Sequence, residues 1–282
     1  MDRNFGKPRG VQTDGQAFAG ILLVAMWLTG GPIPVAGARP IESIPEMTMN
    51  SANETNEAHN FASLRQTMVD CQLRTFDVTD HQVLAAMAAV PREAFLPASL
   101  LPLAYSDSAI GIEAGGVRRR LLQPMVLARL VQAAGIKAGE KVLCVGGGSG
   151  YGAAVVSHLA GEVVALEESS DFAAMAQSGF QQAGVGNATA KTGNLSAGAA
   201  AAAPFDVILL EGASEVEPSA LLDQLSATGC LVMIDKPVSG PHAGACRAVC
   251  YRKQSGVMGC TVLFNCAADV LPGFEAAREF SF

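Results

Sequence analysis

The sequence predicts an α/β fold, with a mostly parallel sheet covered on both faces and a helical segment ahead of it. Two observations carry that expectation. From Gly139 onward, short apolar runs alternate with helix-patterned segments, which is the rhythm of strand–helix repeats. One of those runs, Lys141–Val145, leads into four glycines within the five residues Gly146–Gly150 before a helical segment begins. Composition agrees: with 50% hydrophobic and 16% charged residues among 282, the chain is too apolar for a disordered tail protein. Thirty glycines and 6% aromatics suit a loop-rich α/β chain better than a β-sandwich. Nineteen basic against 26 acidic residues give a net charge of −7, which argues against a nucleic-acid partner, since phosphate backbones need a basic face.

Residues 1–60 read as leader and linker. Arg3, Lys7 and Arg9 precede the apolar run Ala17–Leu28, and Ala36-Gly37-Ala38 has the form of a cleavage site. That is the layout of a secretory signal peptide, and the run is too short to span a membrane as a helix. The alternative, preferred for a reason given below, is a leader that the mature protein lacks, with Met47 or Met49 opening a polar linker. The folded domain is expected over 61–282, with 61–138 forming a helical cap and cleft and 139–282 a ligand-binding sheet.

Within the cap, Leu64, Met68 and Leu73 lie on one helical stripe from Phe61. Thr79-Asp80 offers a natural N-cap for a helix carrying Val83, Leu84, Met87 and Val90, and Pro91 ends it. Leu100–Tyr105 is apolar, Ser106–Gly116 reads as a glycine-containing loop, and Gln123-Pro124 opens a helix through Gly135. In the sheet region, strands are expected at Lys141–Val145, Glu162–Leu166, Phe205–Leu210 and Cys230–Ile234. Helices are expected at Tyr151–Ala160, Phe172–Ala183 and Ala220–Leu225, and Arg247–Tyr251 with Gly259–Phe264 as a closing antiparallel pair. Ala197–Ala203 is a low-complexity connector.

The seven cysteines, at 71, 144, 230, 246, 250, 260 and 266, lack the paired C-x₂-C spacing of a structural zinc site, so no metal is expected. Most lie in or beside apolar runs, where a thiol packs as a small hydrophobe. His158 reads as a surface or packing residue.

The glycine loop Gly146-Gly147-Gly148-Ser149-Gly150-Tyr151 lets a ligand approach the backbone closely, and the helix amides after it can donate to a polar group. Glu167, 21 residues after Gly146 and followed by Glu168, stands at the end of the next strand, where a carboxylate accepts both ribose hydroxyls of a nucleoside. A dinucleotide fold wants G-x-G-x-x-G/A, but the third position here is the bulky Tyr151. The series Gly146, Gly148, Gly150 instead resembles motif I of the S-adenosylmethionine-dependent methyltransferases, so S-adenosylmethionine is the expected cofactor and NAD the lesser alternative.

Further segments narrow the resemblance. Val90-Pro91-Arg92-Glu93-Ala94-Phe95, Ala104-Tyr105-Ser106-Asp107, Gln123-Pro124-Met125-Val126-Leu127-Ala128 and the glycine loop occur in order, followed by Pro204–Ile208 and Leu222–Leu225. Over about 61–273 the chain resembles the protein-L-isoaspartate O-methyltransferase family. The resemblance implies a Rossmann-like class I methyltransferase sheet of seven strands with a helical cap. It also implies methylation of the α-carboxyl of isoaspartyl residues in damaged proteins, with no catalytic histidine or cysteine. An anionic carboxylate attacks the sulfonium methyl in line, which asks for positioning and desolvation more than for a strong base. Where the family reads T-I-S-Q-P, this chain has Arg120-Leu121-Leu122-Gln123-Pro124, so Leu122 stands at the serine tied to catalysis. The family's G-D-G turn is Thr192-Gly193-Asn194.

On this basis the cofactor residues are Gly146, Gly147, Gly148, Ser149, Gly150, Tyr151, Glu167, Glu168, Asn194, Leu195, Glu211 and Gly212. The substrate-side residues are Gln123 and the guanidinium groups of Arg118, Arg119 and Arg120, which would draw a carboxylate on a protein or peptide. The alternatives to isoaspartyl repair are a diverged methyltransferase with another substrate, or a non-catalytic S-adenosylmethionine-binding module. A cofactor made and held in the cytosol favours the cytoplasm over export, and hence the leader reading of the amino terminus. Nothing in the sequence fixes an oligomeric state.

Overall fold

The computed structural model describes residues 60–254 and 257–277. The signal-peptide and leader readings of the amino terminus lie outside the described residues.

A helix, α1 (residues 60–67), runs into a π turn at Met68–Leu73 and a 3₁₀ turn at Arg74–Phe76. The π turn explains the inward face: Met68 and Leu73, five apart, are both buried, whereas Leu64 on the expected stripe is exposed. α2 (His81–Ala89) begins at Asp80, whose side chain accepts from the Gln82 and Val83 amides, and it stops before Pro91 as the sequence indicates. 3₁₀ turns at Arg92–Phe95 and Ala98–Leu103 follow.

The stretch Ser106–Gly116, expected to be a loop, instead contains β1 (Ile110–Ala114), paired antiparallel with β2 (Val117–Leu121). Gly115 and Gly116, both at positive φ, make the two-residue turn between them, and Ile110 and Ile112 alternate inward with Gly111 and Glu113 outward. The expected cap is therefore a helical segment with a hairpin at its cleft edge. α3 (Pro124–Ala134) follows, with Pro124 in its first turn.

The large sheet has seven strands in the order β5-β4-β3-β6-β7-β8-β9. They are β3 (Lys141–Val145), β4 (Glu162–Glu167), β5 (Ala188–Thr192), β6 (Phe205–Ser214), β7 (Leu225–Asp235), β8 (Arg247–Gln254) and β9 (Val257–Asn265). The pairings among β3 to β7 are parallel, and β8 runs antiparallel to both its neighbours, matching the expected closing pair. β5 was not assigned from sequence. It is an edge strand in which only Ala188 is buried, so it lacks the apolar run of its neighbours. The other boundaries shift by a few residues: α4 (Tyr151–Ser157) ends before Ala160, α5 spans Ser170–Gln182, and α6 (Ser219–Leu222) is a single turn after which β7 starts early. Ala197–Ala203 carries one 3₁₀ turn, Ala200–Ala202, tied down by Gln224, which accepts from the Ala199 amide and donates to the Ala197 carbonyl.

Alternation along the strands feeds two cores. Val142, Cys144, Val163, Val207 and Leu209 face the layer built on α2, α3 and α4, while Leu143, Val145, Val164, Ile208 and Leu210 face the layer holding Leu221, Leu271 and Phe274. All seven cysteines are free thiols: Cys144, Cys230 and Cys250 are buried, Cys246 and Cys266 half-buried, Cys71 and Cys260 exposed. Among the described residues no helix is long and apolar enough to cross a membrane.

The chain reverses its direction of travel across the sheet at β3, which has β4 on one side and β6 on the other. In open α/β sheets the crevice beyond the carboxyl ends at such a switch point is where ligands bind.

Candidate active site

Two strand ends meet at that crevice. β3 delivers the glycine loop, and β6 delivers Glu211-Gly212. The second arises from a bulge: between Leu209 and Ala213 the β6 chain advances four residues while its β7 partners, Val232 and Ile234, advance two. A bulge re-aims side chains that a regular strand would send elsewhere. Here it turns the Glu211 carboxylate toward the loop. Glu211 is buried, and its Oε1 lies 2.6 Å from where a Cβ on Gly147 would stand. A Cβ on Gly152 would overlap the same carboxylate, so both positions must be glycine for Glu211 to lie there.

Glu167, at the end of β4, approaches the loop from the other side. It is buried, accepts a short hydrogen bond from the Gly148 amide, and keeps Oε2 without a hydrogen-bond donor among the described residues. Burial pushes its carboxyl up to about 7, against the opposing pull of the Gly148 amide and Arg119. Burial also pushes the Glu211 carboxyl up to about 8, with Glu167 adding and Arg92 opposing. Two buried carboxylates with orphaned acceptor oxygens thus flank one glycine loop.

The three consecutive arginines do not act together, because successive side chains on a strand point to opposite faces. Arg118 and Arg120 face outward, pairing with Glu113 at 3.2 Å and with Asp269 at 3.6 Å. Arg119 turns inward with Leu121, onto the glycine loop beside Ile112. Its guanidinium lies 3.6 Å from Glu167 and 2.7 Å from Glu168, so it pairs with those acids while its neighbours pair outward. All three arginines of the expected substrate-side set line the cleft, Arg118 and Arg120 at its exposed rim and Arg119 buried against Glu167 and Glu168.

The cleft is a cavity of about 520 Å³. One wall is the hairpin, with Ile112, Arg119 and Leu122; the floor is Glu211-Gly212; the opposite wall is the strap 267–271. The strap is held along the end of β6 by Ala213 N–H to Asp269 O (2.8 Å) and Leu271 N–H to Ala213 O (3.0 Å), and the Leu271 side chain rests on Gly146 and Gly212. Sequence reading gave this strap no role. Leu122, at the family's serine position, is buried, and its carbonyl accepts from Arg92 at 3.0 Å. Arg92 is itself fully buried, with its guanidinium 4.5 Å from the Tyr151 ring centroid. It therefore ties the cleft segment to the first residue of α4. No role beyond its motif was foreseen for Arg92; its position within Val90–Phe95 was the available signal.

The remaining expected residues are dispersed. Ser149 is fully buried with its hydroxyl unpartnered, and Tyr151 is buried in the core. Gln123 is half-buried at the cleft edge. Leu195 is buried, while Asn194 is exposed and accepts from Ser196 Oγ and the Ala197 amide, which makes it a turn residue. His158 is exposed at the end of α4, as expected.

Comparison with known proteins accords with this geometry. The family model described as protein-L-isoaspartate(D-aspartate) O-methyltransferase matches residues 64–265. The chain belongs to the protein-L-isoaspartate O-methyltransferase family. A protein-L-isoaspartate O-methyltransferase of Koribacter versatilis is 40% identical over 221 residues, covering 77% of this chain and 96% of the relative. Protein-L-isoaspartate O-methyltransferase 1 of Rhodopseudomonas palustris is 39% identical over 179 residues, 64% of this chain and 72% of the relative. A solved protein-L-isoaspartate O-methyltransferase shares the fold at a TM-score of 0.65 and 23% identity, covering 74% of this chain and 66% of that one. A Plasmodium falciparum chain described as a beta-aspartate methyltransferase, solved with S-adenosyl-L-homocysteine, shares it at 0.60 and 19%, covering 75% and 97%.

The packing of Glu211 in this family member gives a test. Alanine in place of a helical glycine ordinarily stabilises by about 1 kcal/mol. Gly152→Ala is expected to reverse that sign and destabilise by about 1–2 kcal/mol, because the new methyl overlaps a buried carboxylate. Urea unfolding of the variant measures it, and a gain in stability would refute the close packing.

Proposed function

We propose that the chain is an S-adenosylmethionine-dependent protein carboxyl methyltransferase that acts on isoaspartyl residues of damaged proteins. The observation that carries this is the glycine loop flanked by the orphaned carboxylate oxygens of Glu167 and Glu211, with Glu211 lining a cleft that has arginines at its rim. When bound, S-adenosylmethionine supplies a methyl group activated by a sulfonium.

The residues present fit that group. Glu167 Oε2 is an acceptor for ribose hydroxyls, with Glu168 beside it, and the loop glycines permit the positive φ that Gly146, Gly148 and Gly150 adopt. Gly146 and Gly212 lie under the Leu271 side chain, and Gly150 packs against Ala176. Arg118 and Arg120, at the cleft rim, attract and orient an anionic peptide group, and Gln123 offers an amide at the cleft edge. Arg92 fixes the Leu122 carbonyl, so the cleft segment stays in place although Leu122 brings no hydroxyl. Leu122 and Leu271 exclude water from the reacting carboxylate, which raises its nucleophilicity. We place the protein in the cytoplasm, where S-adenosylmethionine is made and held.

Leu122 also favours a second reading, a diverged methyltransferase with another acceptor. Calorimetric titration of S-adenosylmethionine, together with methyl transfer to an isoaspartyl peptide by wild type and Leu122→Ser, decides between them. The expected result is binding and wild-type turnover. Turnover confined to the serine variant favours the diverged enzyme, binding with no turnover in either favours a binding module, and no heat at millimolar ligand removes the cofactor reading.

A further inference from the structure

Glu211 is the feature of the site least accounted for by its surroundings. Its residue is 5% exposed, and Oε1 has no hydrogen-bond donor among the described residues. A buried carboxylate left without donors is costly, so a partner that supplies both positive charge and N–H groups is the natural complement. The nearby titratable and charged groups do not fill that role. Arg92, from the 3₁₀ turn after α2, is the opposite charge that acts on Glu211, but it makes no ion pair with it and donates instead to Leu122 O. Cys144 of β3 is a buried thiol, and Glu167 of β4 is a like charge. Meanwhile the bulge in β6, together with Gly147 and Gly152, brings the Glu211 carboxylate against the glycine loop and into the floor of the cavity.

Resting on the cofactor reading above, we infer that Glu211 is the counter-ion of the α-ammonium group of S-adenosylmethionine, anchoring the amino-acid end of the cofactor opposite the ribose end held at Glu167. The chemistry of the donor selects this end. The sulfonium is cationic but has no N–H. The ribose hydroxyls and the adenine amine donate but are neutral. Only the ammonium both neutralises the carboxylate and donates to its orphaned oxygen. The same residue then discriminates for intact cofactor over nucleosides lacking the amine.

The test is a ligand-truncation cycle on the full chain, read by calorimetry. S-adenosylhomocysteine is compared with its deaminated analogue, in which the amine alone is replaced by hydrogen, on wild type and Glu211→Gln. The wild type is expected to prefer the amine-bearing ligand by roughly 30-fold, and Glu211→Gln to reduce that preference to within a few-fold while binding the deaminated analogue about as well as wild type. In buffers of differing ionisation enthalpy at neutral pH, the wild type should release a proton on binding S-adenosylhomocysteine, and Glu211→Gln should release none. Parallel loss of both ligands in the variant, or an unchanged preference, overturns the inference and leaves the cofactor reading standing. Failure of the wild type to bind either ligand overturns the cofactor reading itself. Should Glu211→Gln not fold, the wild-type preference and its proton release still decide: equal affinity for the two ligands, with no proton released, overturns the assignment.

Discussion

Glu167→Ala is expected to abolish detectable S-adenosylmethionine binding at millimolar ligand and to lower folding stability by about 1–2 kcal/mol. Both effects share a cause. The carboxylate removed is the ribose acceptor proposed above, and it is also one of the two anions facing the buried Arg119 guanidinium. Breaking a buried ion pair from one side typically costs about 3–5 kcal/mol, but Glu167 is partly protonated at neutral pH and Glu168 stays 2.7 Å from Arg119, so the loss falls below that range. The double variant Arg119→Met/Glu167→Gln separates the two effects. Removing both charges should recover most of the stability, because no unpaired ion is left buried, but should not recover cofactor binding. Urea unfolding and titration calorimetry measure the two quantities. A Glu167→Ala protein that binds the cofactor like wild type would rule out the ribose assignment.

The ligand-free protein is expected to lose stability as the pH rises from 5 to 8, the reverse of what ordinary paired carboxylates produce. Glu211 titrates at about 8 and Glu167 at about 7 in the folded chain, both above the usual 4.5 because burial disfavours the charged form. Over the intervening range the folded state therefore holds more protons than the unfolded state. The stabilisation is present in full below about 4.5 and is lost as the pH climbs through 7 and 8. Each tenfold change in proton affinity corresponds to roughly 1.4 kcal/mol, so the two carboxyls together contribute several kcal/mol. Subtracting the Glu211→Gln curve from that of wild type isolates the Glu211 share, which should grow with pH. S-adenosylhomocysteine should correspondingly raise the melting temperature more at pH 8 than at pH 5. A difference curve that is flat, or that slopes the other way, would show that Glu211 is not held protonated in the empty site.

What could be read from sequence follows the range of the interactions involved. The β3–loop–α4–β4 unit was legible because each part is local: a buried apolar run, glycines where the chain turns, and an acid one strand later. The hairpin was legible in principle, since Gly115-Gly116 flanked by Ile110, Ile112 and Leu121 is a turn signal, but the acids and arginines around it read as loop polarity. The fate of Arg119 was not legible, because it depends on strand alternation together with the fold-back that brings residue 119 to residues 167 and 168. Glu211 was named as a site residue, yet its aim comes from a bulge defined only against β7. β5 escaped notice because an edge strand with one buried residue needs no apolar run. The π turn in the first helix likewise leaves no mark beyond a spacing of five between Met68 and Leu73.

The strap that forms one wall of the cleft has a consequence for how the protein is made. Residues 267–271 lie beyond β9 in the chain, so a ribosome produces them after every strand of the sheet. Until then the glycine loop and the β6 bulge have the hairpin on one side and water on the other, with Gly146 and Gly212 uncovered by Leu271. A chain released after β9 would carry the sheet strands and both acids but an open trough, because that wall of the pocket comes only from residues 267–271 reaching back across the end of β6.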